Sequence, residues 1–219
     1  MDLIALFLPP LLLSILFLYI KFKFKPDNWS NIFKAIVLGL LAVVILVLTD
    51  YIFFAYWHDK LHNMRRMAAY VFVGIAFSSE FAKFLVLRYG FVKKGLIKTP
   101  LEGIIYALFV GISFAIIASL LYYYKWIGTD RFYHFTLYLW SYPFASIIFS
   151  IIMGFFIGMA ETRKNALIDN LVGLFLATFF HATFYFCFVS SDLRLFGFTV
   201  IGFLFIGSGL LIKSTNFEN

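Results

Sequence analysis

Seven apolar runs, each long enough to cross a lipid bilayer, leave almost no chain for anything else. Crossing ~30 Å of hydrocarbon takes about 20 predominantly apolar residues. The runs lie at Leu3–Ile20, Ile32–Phe54, Met67–Leu87, Leu101–Tyr124, Thr136–Ala160, Ile168–Val189 and Leu195–Ile212. The segments between them, Lys21–Asn31, Ala55–Arg66, Arg88–Pro100, Lys125–Phe135, Glu161–Leu167 and Ser190–Arg194, are too short for an extramembrane domain. The expected fold is therefore all-α: a polytopic transmembrane bundle of about seven helices (six to eight), with residues 1–219 as a single integral membrane domain. Only 13% of the 219 residues are charged and mean hydropathy is +0.95, whereas a soluble domain carries roughly twice that charge. The first run lacks a basic leader and a small-residue cleavage site, so it reads as a retained helix, with a kink expected at Pro9-Pro10.

The net charge of +7 does not point to nucleic acid, because the basic residues flank apolar runs in short clusters and form no extended stripe. Their distribution orients the chain. The loops after the first, third and fifth runs, with the C-terminus, carry Lys21, Lys23, Lys25, Arg88, Lys93, Lys94, Lys98, Arg163, Lys164 and Lys213. The opposite side carries Lys60, Arg65, Arg66, Lys125, Arg131 and Arg194, and ten against six places the N-terminus outside and the C-terminus in the cytoplasm. Thirty-one Phe and thirteen Tyr suit a lipid-facing surface with interfacial belts. The single Cys187 excludes an internal disulfide framework and a cysteine-based metal site.

Charge at membrane depth costs about 2.5–3.5 kcal/mol on insertion scales, so such residues are paired, face a cavity or are functional. Glu80 is the foremost case, eight residues before Arg88 and so ~12 Å below that interface at ~1.5 Å per residue. Lys83 follows on the same helix face. The pair reads either as a self-neutralised structural couple or as a functional carboxylate with its counter-ion. His181, thirteen residues into the sixth run, reads as a structural donor unless a carboxylate meets it. Glu and His converging on a pocket can activate water, and with a third ligand could hold a metal, although the sequence assigns no metal site and no cofactor. Side chains within about 6 Å around a water or metal would favour catalysis or ligand binding, and a separation beyond about 12 Å, with Lys83 saturating Glu80, a structural role.

Other polar residues carry less. Asp50, Glu161 and Asp169 fall near expected helix ends, where a carboxylate is cheap, and Glu102 follows Pro100 in a first turn that suits the helix dipole. Ser119 and Ser146 can bond back to their own helices. His58, His62 and His134 lie in loops, the first two at a spacing that permits a weak surface metal site. Gly154 and Gly158 form a GxxxG pair suited to close helix approach, and Gly202, Gly207 and Gly209 suggest the same for the last run.

Four segments in order resemble a known family. Ser79-Glu80-Phe81-Ala82-Lys83 is similar to the EExxK motif of PrsW-type glutamic intramembrane proteases, relatives of the CAAX-protease superfamily. Glu102-Gly103-Ile104-Ile105-Tyr106 through Gly111-Ile112-Ser113-Phe114-Ala115, then Gly154–Gly158, then Leu176–Ala182, resemble the family's next three segments, so that the PrsW-like core is expected at about 67–189. The resemblance implies an intramembrane peptidase, with Glu80 as base and His181 as orienter or oxyanion stabiliser. Lys83, Ser79, Glu102, Ser119 and Ser146 are the supporting positions it implies. The chain also departs from the pattern. The first of the paired glutamates is Ser79, a later Glu-Asn pair falls at Ala118-Ser119, an earlier histidine falls near Ser146, and the Asn after the last histidine is Tyr185. The same resemblance thus admits a catalytically degenerate relative serving as a sensor, binding or assembly subunit. A channel or transporter is disfavoured by the lack of inverted repeats and matched broken helices. The expected surroundings are a lipid bilayer, a membrane-protein substrate or partner subunit, and no nucleic acid. The expected location is a bacterial inner membrane.

Overall fold

The computed structural model of the protein describes residues 2–23, 29–57, 63–129, 132–163, 165–189 and 193–216. Seven helices are long and apolar enough to span a membrane: α1 (Leu3–Lys23), α2 (Trp29–Tyr56), α3 (Met64–Lys94), α4 (Pro100–Tyr123), α5 (Phe135–Thr162), α6 (Ala166–Val189) and α7 (Arg194–Asn216). Among the described residues there is no strand. The protein is an integral multi-pass membrane protein, as its apolar runs anticipate.

The helix ends follow from local chemistry. Helix α4 opens on a capping box: Thr99 Oγ1 accepts the Glu102 N–H (3.3 Å), and the Glu102 carboxylate accepts the N–H groups of Thr99 (3.1 Å) and Lys98 (2.7 Å). Pro100 sits in that first turn, where its missing N–H costs nothing. In α1 the break falls at residues 6–7, between helical segments Asp2–Ala5 and Leu8–Lys23. Pro9 and Pro10 therefore start the longer segment instead of kinking it from within, since a first turn tolerates proline.

Packing divides the bundle into a core and two flanks. In α5, 78% of the most apolar window is buried, against 17% in both α1 and α7. Large apolar side chains of the flanks, such as Phe7, Phe198 and Phe205, are exposed, which only a lipid solvent tolerates in such number. Helices α4 and α5 share the most extensive interface. Its closeness depends on glycine: a Cβ at Gly103 would run into the Gly154 carbonyl, and one at Gly158 into Thr99 and Pro100. In α7 only Gly207 meets a neighbour, Ile148, while Gly202 and Gly209 face open space, so the close packing expected at those two positions does not occur.

Helix α3 is not uniform. An α-helical start (Met64–Ala69) gives way to a π-helical stretch, Tyr70–Phe77, before α-geometry resumes at Ser78–Gly90. The wider turns leave carbonyls that need other donors, and hydroxyls supply them. Gly74 O accepts from Ser78 Oγ and from Thr49 Oγ1 of α2 (3.3 Å), and Ile75 O accepts from Ser78 Oγ (3.1 Å) and Ser79 Oγ (2.7 Å). Such π-stretches recur beside functional sites. This one ends at Phe77, three residues before Glu80.

Candidate functional site

Once α-geometry resumes, Ser78, Ser79, Glu80, Ala82 and Lys83 all lie buried inside the bundle. Glu80 is 0% exposed and Lys83 3%. Lys83 Nζ donates to Glu80 Oε1 at 2.6 Å across one helical turn. The ammonium also lies 5.4 Å from the Phe114 ring centre of α4 and 5.8 Å from that of Phe149 of α5, so aromatic faces share its charge.

His181 of α6 arrives from the other side. Its Nδ1 lies 2.8 Å from the same Glu80 Oε1, across 101 residues of sequence, and the side chain is 1% exposed. The ring stacks on Phe149, with centroids 4.7 Å apart at 15°, which fixes its plane. With a carboxylate paired to an ammonium as its neighbour, Nδ1 carries the proton and donates, leaving the lone pair on Nε2. Two reactive atoms remain: Glu80 Oε2 and His181 Nε2 are both buried without a hydrogen-bond partner. Each is a buried acceptor that a water molecule can satisfy; because Nδ1 faces the carboxylate, Nε2 is directed to the far side of the ring. At 2.8 Å the two side chains meet the distance part of the expectation drawn from the sequence. Lys83 does not close the carboxylate, because it and His181 use the same oxygen.

The other candidate positions divide. Ser79 Oγ bonds to Ile75 O of its own helix and serves the π-stretch. Ser146 Oγ reaches across to Gly111 O of α4 at 3.0 Å, which ties α5 to α4 where a bond within its own helix was expected. Ser119 Oγ is buried without a partner, as is Thr178 Oγ1 one turn before His181. Glu102 is occupied by its capping box at the head of α4. His134 is half-buried at the head of α5, while His58 and His62 lie outside the described residues.

Two carboxylates expected at inexpensive helix ends are buried, Asp169 at the head of α6 and, more deeply, Asp50. Asp50, expected to be an inexpensive interfacial group, is 5% exposed in α2. It accepts from the Tyr70 hydroxyl of α3 at 2.5 Å and from the Gly128 N–H of the α4–α5 loop at 3.3 Å. Its place near a helix end suggested an inexpensive interfacial site, but the helix turns it inward.

The sequence pattern described as PrsW family intramembrane metalloprotease matches residues 27–210, from the head of α2 into α7. The chain belongs to the PrsW family. A curated relative, Protease PrsW of Oceanobacillus iheyensis, is 29% identical over 171 residues, covering 78% of this chain and 74% of that protein. No solved structure matches. The PrsW match extends beyond the four segments that first resembled the family, taking in α2 with its Asp50 and most of α7.

The family's description names a metal, and the polar core offers poor terms for one. Among the described residues no three His, Cys, Asp or Glu side chains come together as a ligand set. The two that do meet, Glu80 and His181, have the Lys83 ammonium at 2.6 Å from the carboxylate, a fixed positive charge beside the place a cation would take. This donor set does not fit a resident metal ion.

Proposed function

We propose that the protein is an intramembrane endopeptidase in which Glu80 and His181 activate the water that cleaves a peptide bond. One observation carries this reading: a carboxylate and an imidazole from different helices meet at 2.8 Å inside the bundle, each keeping one polar atom without a partner. A water held at Glu80 Oε2, the oxygen left without a partner, attacks the scissile carbonyl carbon. Its proton passes to the base, Glu80, and from there to the leaving amine. His181 Nδ1 fixes the carboxylate and so orients the water through it. Lys83 holds the Glu80 carboxylate in place and sets a positive field near the developing oxyanion. No metal enters these steps. Ser119 and Thr178 supply further unsatisfied hydroxyls in the buried core, and Ser79, Ser146 and Glu102 support the helices that present the pair.

The substrate proposed is a membrane-embedded segment of another protein. An apolar crevice of ≈ 600 Å³ opens on the lipid side between α3 and α6, lined by Ala69, Phe72, Val73, Phe179 and Ala182, the last adjoining His181. It lies between the two helices that carry the pair. The Lys and Arg bias supports a bacterial inner-membrane orientation with the N-terminus outside and the C-terminus in the cytoplasm. The core of the activity is taken to lie within residues 67–189.

The test is cleavage of a membrane-anchored reporter by purified protein in liposomes. Glu80→Gln and His181→Ala are each expected to abolish cleavage while the protein still elutes as a folded species. Undiminished cleavage in both variants would remove these residues from the mechanism.

A further inference from the structure

Five tyrosines, Tyr70, Tyr122, Tyr138, Tyr142 and Tyr185, are wholly buried between the Glu80–His181 pair and the α4–α5 loop. Four of them form a continuous cluster of ring contacts, and Tyr70 joins it through Asp50 and Gly128. The Tyr142 ring lies 6.0 Å from that of His181, Tyr138 and Tyr122 lie 5.4 and 5.8 Å from Tyr142, and Tyr185 lies 5.8 Å from Tyr138. Phenylalanine would fill this space as well. Instead the cluster carries hydroxyls: those of Tyr122 and Tyr138 lie near each other and that of Tyr185 near the Thr129 backbone, but none of the three has a partner of full hydrogen-bond geometry among the described residues. Each buried hydroxyl left dry costs about 1–3 kcal/mol, so several in one place call for water between them.

At its outer end the cluster meets a cavity of ≈ 150 Å³ lined by Tyr122, Lys125, Gly128, Thr129 and Phe132. A single water needs roughly 10–15 Å³ on the same measure, so there is room for several. Gly128, at φ +101°, closes over the rings of Tyr122 and Tyr185, and its N–H is held by Asp50, which Tyr70 holds in turn. The opposite direction differs. Beyond the pair, Phe109, Val110, Ile152, Met153 and Ala177 pack as an apolar block. The serine hydroxyls nearby are taken by backbone: Ser113 by Phe109 O (2.6 Å) and Ser150 by Ser146 O (2.7 Å).

We propose that the tyrosine cluster is the water route of the protein, a hydrated path from the cavity under the α4–α5 loop to Glu80 and His181, with the Asp50–Tyr70–Gly128 contact holding its mouth. The inference rests on the hydrolytic reading, since it supplies the water that reaction consumes. Water then reaches the pair from one membrane face, while the lipid-side crevice is left to the peptide. The phenol hydroxyls stand in for the bulk contacts the water gives up.

Two measurements test the route without reading proteolysis. Hydroxyl-radical labelling by pulsed X-rays marks buried side chains that adjoin bound water in the wild-type protein. Tyr122, Tyr138 and Tyr142 are expected to be modified, and the equally buried Phe91 and Phe109 to be spared. In a Cys187→Ser background, Thr129→Cys and Tyr138→Cys are expected to react with a charged methanethiosulfonate on the order of tenfold faster than Phe109→Cys, a matched large-to-small control that reacts only through local opening. Labelling of the tyrosines no greater than that of the two phenylalanines, with Tyr138→Cys as slow as Phe109→Cys, would overturn the route. Labelled tyrosines in a protein that cleaves nothing would support the route and count against the hydrolase. Unlabelled tyrosines in an active protease would do the reverse.

Discussion

Glu80 and Asp50 are both carboxylates buried in membrane-spanning helices, yet their surroundings set them different tasks. Glu80 faces a cation and an imidazole, both on one oxygen, and keeps the other oxygen without a partner. Asp50 faces only neutral donors, a phenol and a backbone amide, which tie α2 to α3 and to the α4–α5 loop. A carboxylate with charged partners and a spare oxygen is equipped to move a proton. One held by neutral donors from two other segments is equipped to hold the three together. Burial alone does not distinguish chemistry from architecture, whereas the partners do.

Exchanging each acid for its amide gives the largest contrast. Glu80→Gln is expected to cost roughly 10²–10⁴ in turnover, the range for a lost general base. Asp50→Asn keeps an oxygen for both donors and should retain most activity. Equal losses on a reporter in liposomes would erase the distinction between the two sites. His181→Gln should also reduce kcat, with little change in KM, because the partner lost acts on water and not on the peptide.

The counter-ion comes next. Lys83→Met leaves the Glu80 carboxylate buried with no cation, and such breakage typically costs about 3–5 kcal/mol. Thermal unfolding in detergent should show a clear loss, and an unchanged midpoint would mean that Lys83 does not hold the core. At the other site, Tyr70→Phe removes one donor to Asp50, a loss of about 1–3 kcal/mol. Limited proteolysis should then nick the α4–α5 loop faster while Glu80-dependent turnover survives. The smallest effect belongs to Gly128→Ala, which places a Cβ at positive φ for about 1–2 kcal/mol. It should loosen the same loop, and a protease pattern identical to wild type would show that Gly128 does not set the mouth.

Much of this was legible along the chain. The seven spans could be read directly, because in lipid every backbone group must be satisfied within its own helix, and that demands long unbroken apolar runs. Lys83 beside Glu80 was equally plain, since residues three apart share a helix face. The GxxxG pair of α5 foretold a close helix approach, and the structure shows that α4 makes it. Less could be learned about Asp50, which was placed by its distance from a helix end when the rotation of α2 and the fold of the α4–α5 loop decided its burial. The tyrosines were counted with an interfacial belt, yet five of them fill the interior. Nothing in Tyr70–Phe77 announces a π-helix, whose donors come partly from Thr49 on another helix.

Hydrophobic length, short loops and ordered motifs settled by themselves that this chain is a PrsW-like membrane bundle with a polar residue on each of two inner helices. Only the tertiary structure decided that those residues meet. Glu80 and His181 stand 101 positions apart, and their 2.8 Å contact depends on how α3 and α6 rotate against α5 and Phe149. Helical periodicity states which residues share a face of one helix. Which faces of different helices share a cavity is set by packing, where glycine contacts, ring stacking and a π-turn contribute together.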